Sequence, residues 1–137
     1  MKIQVKSSGQ YLNILNGSLE IGTVACQDND SHKDNFVWEL TPSTVGGYFT
    51  LKVKSSGQYL NILKDSKDQA ALACQDDDPT TDNYFWQVIP AGGEYFRLQV
   101  KSSGQYLNIL NADKEPAARA CQGNNPTTDN YLWKFVL

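Results

Sequence analysis

One eleven-residue stretch, Val-Lys-Ser-Ser-Gly-Gln-Tyr-Leu-Asn-Ile-Leu, occurs three times without a change, at Val5–Leu15, Val53–Leu63 and Val100–Leu110. The copies start 48 and then 47 residues apart. The rest of the chain keeps the same register. A Cys-Gln pair recurs at Cys26, Cys74 and Cys121, and an Asn-x-x-Trp at Trp38, Trp86 and Trp133. A period of this size makes each repeat one supersecondary unit that cannot bury its apolar face alone. The 137 residues therefore read as one domain of three repeats, 1–47, 48–93 and 94–137, around a shared core.

Within a repeat the patterning is that of short strands. Ile3 and Val5 alternate with Lys2, Gln4 and Lys6, and Ser7-Ser8-Gly9 supplies a tight turn. Gln10–Leu15 is a second strand, with Leu12 and Ile14 on one face and Tyr11, Asn13 and Leu15 on the other. Asn16-Gly17 is a further turn signal. Gly22–Gln27 reads as a third strand and Phe36–Leu40 as a fourth, with the polar loop Asp28–Lys33 between them. The other two repeats replay this order, and no segment has useful helical periodicity.

Four short strands in each of three repeats give about twelve. A solenoid without capping units would leave open edges, and three blades are too few for a propeller. The arrangement that closes is a β-trefoil: six strands form a short barrel and three hairpins cap one end. Its core is expected from Ile3/Leu51/Leu98, Val5/Val53/Val100, Leu12/Leu60/Leu107, Ile14/Ile62/Ile109 and Trp38/Trp86/Trp133.

Composition bounds the partners. A net charge of −3 with 20% charged residues disfavours nucleic acid and anionic membrane surfaces. No apolar run approaches the ~18 residues of a membrane span, so membrane insertion is not expected. The three cysteines sit at one equivalent position per repeat and form no Cys-x-x-Cys, which points to reduced, buried thiols. Reduced cysteines and the absence of an apolar leader at Met1–Val5 suit a cytoplasmic protein, or one released by a non-classical route.

Ser-Gly-x-Tyr-Leu-Asn-Ile followed by Asn-x-x-Trp resembles the ricin-B-like (R-type) β-trefoil lectins, whose repeats carry Ser-Gly-x-x-Leu-Asp-Val early and Gln-x-Trp late. The resemblance spans all three repeats and implies a carbohydrate-binding protein of galactose or GalNAc type, without cofactor. Three features depart from the pattern. Phe36, Tyr84 and Tyr131 replace the Gln of Gln-x-Trp, and Asn13, Asn61 and Asn108 replace the Asp of Leu-Asp-Val. No aromatic residue stands beside Cys26, Cys74 or Cys121 to stack on a sugar.

A sugar site needs convergent amides and carboxylates. The resemblance places such groups at Asn13, Asn61 and Asn108 on the second strand and at Asn35, Asn83 and Asn130 before the fourth. Between them lie Gln27, Gln75 and Gln122, each expected to point outward if its neighbouring Cys points inward. Asp28 and Asp76 continue that surface, and the third repeat has Gly123 instead. On this reading Gln10 and Asn13 with their copies face solvent, and Ala at Asn13, Asn61 and Asn108 together abolishes binding while leaving the fold intact. The bland alternatives are turn-capping Asn side chains and core-packed Phe36, Tyr84 and Tyr131.

Other chemistry finds little support. Asp76-Asp77-Asp78 with Asp82, or Asp28, Asp30 and Asp34, could offer oxygen ligands to Ca²⁺, but their spacing matches no loop motif and no metal is expected. His32, beside Ser31 and near Asp34, has no equivalent in the other repeats, and no phosphate loop or metalloprotease motif occurs. The leading expectation is a non-enzymatic, multivalent lectin that agglutinates cells, with homo-oligomerisation left open. The competing expectation, from a different class, is a protein-binding β-trefoil such as a protease inhibitor, which would act through one distinctive loop.

Overall fold

A computed structural model of the chain describes residues 1–29 and 32–137. The described residues form twelve strands and six short 3-10 turns, two turns in each repeat. The first repeat holds β1 (Lys2–Val5), β2 (Tyr11–Ile14), β3 (Ala25–Asp28) and β4 (Trp38–Pro42). The second holds β5 (Phe49–Val53), β6 (Tyr59–Ile62), β7 (Ala73–Asp76) and β8 (Trp86–Pro90), and the third β9 (Phe96–Val100), β10 (Tyr106–Ile109), β11 (Ala120–Gly123) and β12 (Trp133–Val136). Four strands per repeat match the expectation from period-two patterning. The third strand starts at Ala25, later than the sequence reading, because Gly22 has a left-handed φ of 85°, and the fourth starts at Trp38 because Asn35 and Phe36 belong to a 3-10 turn, Asp34–Phe36.

The barrel is built from β1, β4, β5, β8, β9 and β12. β4 pairs with β5, β8 with β9 and β12 with β1, all antiparallel, and the ring is continued by Phe49↔Trp86 and Trp133↔Phe96. Between β1 and β4 the ring closes through Met1, whose carbonyl accepts from the Trp38 amide at 2.8 Å. Closure removes the exposed strand edges that a three-repeat open sheet would carry. The hairpins β2–β3, β6–β7 and β10–β11 form the cap, and isolated bridges Val24↔Cys74, Leu72↔Cys121 and Cys26↔Arg119 tie them into a triangle. This is the β-trefoil.

Every member of the expected core set is at most 2% exposed. The three tryptophans fill the barrel, and each indole Nε1–H donates to the backbone of its own hairpin: Trp38 to the Leu12 carbonyl at 2.9 Å, Trp86 to Leu60 and Trp133 to Leu107 at 3.0 Å. A buried indole with its donor satisfied contributes its full apolar area to stability. In this way each tryptophan fixes its hairpin cap to the barrel.

The shared turn has one conformation in all three copies. Gly9, Gly57 and Gly104 have φ near +74°, the left-handed region that excludes most side chains. The serine just before each glycine then caps the chain: the Gln10 amide donates to Ser8 Oγ at 3.1 Å, as Gln58 does to Ser56 and Gln105 to Ser103.

Candidate functional site

The register of β2 on β3 sets Asn13 opposite Cys26, and the 3-10 turn Asp34–Phe36 brings Asn35 against both. Asn13 Nδ2 donates to the Tyr11 carbonyl at 3.2 Å and the Cys26 carbonyl at 3.3 Å. Asn13 Oδ1 accepts from Asn35 Nδ2 at 3.3 Å and from the Cys26 thiol at 3.7 Å. Asn35 Nδ2 also donates to the Ile14 carbonyl at 3.1 Å. The same network joins Asn61, Cys74 and Asn83, and again Asn108, Cys121 and Asn130. Burial pushes the thiols up, Cys26 and Cys121 to about 11 and Cys74 to about 12, so they remain protonated donors at neutral pH. All three are free, as expected from their equivalent positions.

Burial corrects the sequence reading of this strand. Asn13, Asn61 and Asn108 do not stand on a solvent face, being 2–4% exposed. Period-two alternation places them opposite the core side of the hairpin, but that second side is covered by the loop leading into the fourth strand. Asn35, Asn83 and Asn130 are 5–7% exposed and sit at the same depth.

A larger correction concerns the glutamines. Gln27, Gln75 and Gln122 are expected outward and are wholly buried. Gln27 Oε1 accepts from Ser8 Oγ at 2.7 Å, and its Nε2 donates to the Asp113 and Glu115 carbonyls, both at 2.9 Å. Gln75 grips the Ser18 and Glu20 carbonyls in the same way, and Gln122 those of Ser66 and Asp68. Gln10, also expected outward, is 4% exposed and donates to the Lys114 carbonyl. Gln58 and Gln105 donate likewise to Leu19 and Lys67. These side chains lock each repeat onto a loop of its neighbour. The signal for this role was their identity in all three repeats, which fits a buried contact as well as a ligand.

Two of the three equivalent positions open into polar clefts. In the first repeat Asn13, Asn16, Asp28, Lys33, Asn35 and Phe36 line one of about 270 Å³. In the third, Asn108, Asn111, Gln122, Gly123, Asn130 and Tyr131 line one of about 310 Å³. Asp28 and Asp76 lie half-buried beside the Asn pairs, where a carboxylate can accept from a hydroxyl. The third repeat differs: a side chain at Gly123 would collide with the Tyr131 hydroxyl, so the phenol holds the space beside Asn108. Burial raises the Tyr131 hydroxyl, and burial with Asp76 raises that of Tyr84 to about 12. Thr81 and Thr128 donate to Asn83 Oδ1 and Asn130 Oδ1, both at 2.5 Å, where the first repeat has Lys33. The three positions thus share a scaffold and differ at the rim.

Among the described residues no group of three or more His, Cys, Asp or Glu side chains is placed to hold a metal. Asp30 and Ser31, named with the acidic loop and with His32, lie outside the described residues. No helix of the described residues is long and apolar enough to cross a membrane.

Threefold hairpins on a closed barrel, with sugar-sized polar clefts at the hairpin flanks, define a β-trefoil of lectin type. The chain belongs to the ricin-type β-trefoil lectin domain-like family, whose sequence profile matches residues 1–73 and 38–123. No curated protein sequence matches it. Among solved structures it is similar to ThreeFoil, a designed threefold-symmetric protein, with 29% identity and a TM-score of 0.95 over 99% of this chain and 96% of that one. It is also similar to the Rhizoctonia solani agglutinin, at 21% identity and a TM-score of 0.86 over 98% and 91% of the two chains. A third similar structure is an exo-β-1,3-galactanase from Clostridium thermocellum, at 24% identity and a TM-score of 0.95. The match covers 99% of this chain and 29% of that enzyme. Family and fold together support a carbohydrate-binding role.

Proposed function

We propose that the protein is a multivalent lectin with one glycan site per repeat, and that it binds without cleaving. The observation that carries this reading is the threefold recurrence of the paired Asn side chains at the cleft floor, with Asp28 and Asp76 at the rim. The buried Asn pairs shape and hold the floor. The rim carboxylates and the outer amide oxygens receive sugar hydroxyls. A neutral sugar of galactose or GalNAc type suits clefts that combine carboxylate, amide and aromatic groups. The absence of an aromatic residue at the third strand leaves each site weak by itself, so that strength comes from linked binding to clustered glycans. Agglutination of cells follows from more than one outward site on a single rigid body. The free, buried thiols suit a reducing compartment, and the protein acts there or after non-classical release.

A glycan array followed by calorimetry with the bound sugar tests this. The double variant D28A/D76A is expected to fold as the parent does and to lose the first two sites, leaving only the carboxylate-free third. Affinity at the lost sites should fall by about tenfold or more, the value of a hydrogen bond to a charged acceptor. Wild-type stoichiometry in that variant, or no glycan retained on a broad array while a protease is inhibited, would sink the reading in favour of a protein-binding trefoil.

A further inference from the structure

The loops that lead into the last strand of the second and third repeats differ in three consecutive residues alone. Residues 79–84 and 126–131 read Pro-Thr-Thr-Asp-Asn-Tyr in both. Before them stand Asp76-Asp77-Asp78 in the second repeat and Gly123-Asn124-Asn125 in the third. The two backbones match. The Thr80 amide donates to the Asp78 carbonyl and the Thr127 amide to the Asn125 carbonyl, both at 2.8 Å. Each loop ends in a 3-10 turn, Asp82–Tyr84 or Asp129–Tyr131. Three negative charges are removed from one loop and its frame is kept.

Their removal changes what the third cleft can accept. Asp76 and Asp78 both act on the Tyr84 hydroxyl. Among the described residues no carboxylate acts on that of Tyr131, which occupies the root of the side chain that Gly123 lacks. The Asn125 backbone amide approaches the Tyr131 oxygen, which leaves the hydroxyl proton for an acceptor in the cleft. Asn125 Oδ1 accepts from Thr127 Oγ1 at 3.5 Å, which leaves its Nδ2 as a second donor where Asp78 has none. No charged side chain lines this cleft of about 310 Å³, whereas Asp28 and Lys33 line that of the first repeat. A cation stands behind the loop: Arg97 Nε donates to the Pro126 carbonyl at 3.2 Å, and Thr50 holds the equivalent place in the second repeat.

We propose that the third cleft takes a sugar that carries a carboxylate, of the hexuronic-acid class, which stands in for the Asp side chain missing at Gly123 and accepts from the Tyr131 hydroxyl and the Asn125 amide. The proposal rests on the glycan reading of the clefts and gives the third a different ligand from the first two. A carboxylate entering beside Asp28 or Asp76 meets a like charge, which rejects it there. In the third cleft it meets two donors and, across the loop, a guanidinium.

The probes are methyl galacturonoside and methyl galactoside, which differ by a carboxylate against a hydroxymethyl group, titrated into ¹⁵N-labelled protein. The uronate should shift the amides of Gly123 and Thr128 saturably. The equivalents Asp76 and Thr81, and Asp28 and Lys33, should stay in place as internal controls. Y131F introduces the residue that the first repeat holds at Phe36, so it should fold and weaken uronate binding about tenfold, the worth of a hydrogen bond to a charged acceptor. R97T should weaken it by about two- to fivefold, as loss of a partly screened charge does. D76G/D77N/D78N gives the second loop the sequence of the third and should bring uronate shifts to Thr81. Four results would each overturn this proposal and leave the lectin reading standing: galactoside binding with no uronate shift at the third cleft, equal uronate shifts at all three, wild-type uronate binding by Y131F, or no gain in the loop variant. Binding of neither sugar would overturn both.

Discussion

Asn61 shows how a residue that reads as a ligand can be a structural fixture. Its amide nitrogen donates to the Tyr59 and Cys74 carbonyls at 3.2 Å, and its oxygen accepts from Asn83 and Cys74. Removing a buried partner leaves carbonyls and an amide without hydrogen bonds, at about 1–3 kcal/mol. N61A is therefore expected to lower the free energy of unfolding by that amount, read from a urea transition. The triple change at Asn13, Asn61 and Asn108 multiplies the loss towards the ~5–15 kcal/mol that holds a domain of ordinary stability together. The sequence-based expectation that this triple variant keeps its fold is withdrawn on this ground, and rim residues such as Asp28 are the proper probes of binding. An N61A protein with the parent's urea midpoint would show that the network carries no net stability.

At the scale of the element, the loop between the second and third strands of each repeat carries backbone strain that the repeats resolve differently. Gly22, Ala70 and Ala117 are equivalent, with φ of 85°, 65° and 68°. Each amide donates to the carbonyl of a clasp glutamine, Gly22 to Gln75, Ala70 to Gln122 and Ala117 to Gln27, at 2.7–2.8 Å. That hydrogen bond holds the conformation in place whatever the residue. A non-glycine residue there costs about 1–2 kcal/mol, and glycine loses about 0.4–1 kcal/mol through the greater freedom of its unfolded chain. A70G and A117G should each stabilise the protein by about 0.5–1 kcal/mol, raising the calorimetric melting temperature by a few degrees. Unchanged or lower melting would show that the loop relaxes without strain. Nothing clashes near the glycine at this position in the first repeat, so the space around it is open.

The molecule as a whole is held by a closed circle of clasps. The first repeat's Gln10 and Gln27 hold the third repeat's loop at Asp113, Lys114 and Glu115. The second repeat holds the first at Ser18, Leu19 and Glu20, and the third holds the second at Ser66, Lys67 and Asp68. Each clasp glutamine donates its side-chain amide to a neighbouring repeat, and no repeat closes its own barrel. A peptide of residues 48–93 should accordingly show no ordered β signal by circular dichroism, whereas the intact chain melts in one cooperative transition. Independent folding of the peptide would mean that the interfaces are dispensable.

Period-two runs, a glycine at each hairpin turn and a 47–48-residue repeat were enough to specify twelve strands, their order, and the residues of the threefold core, because those features depend on local backbone geometry and on burial of one face. Local alternation is silent about what covers the other face of a strand. Only the packed molecule shows that Gln27 crosses to a loop 86–88 residues away and that Asn13 lies beneath Asn35. Those contacts join distant parts of the chain, and a side chain that alternates away from one core becomes buried where a neighbouring repeat supplies a second.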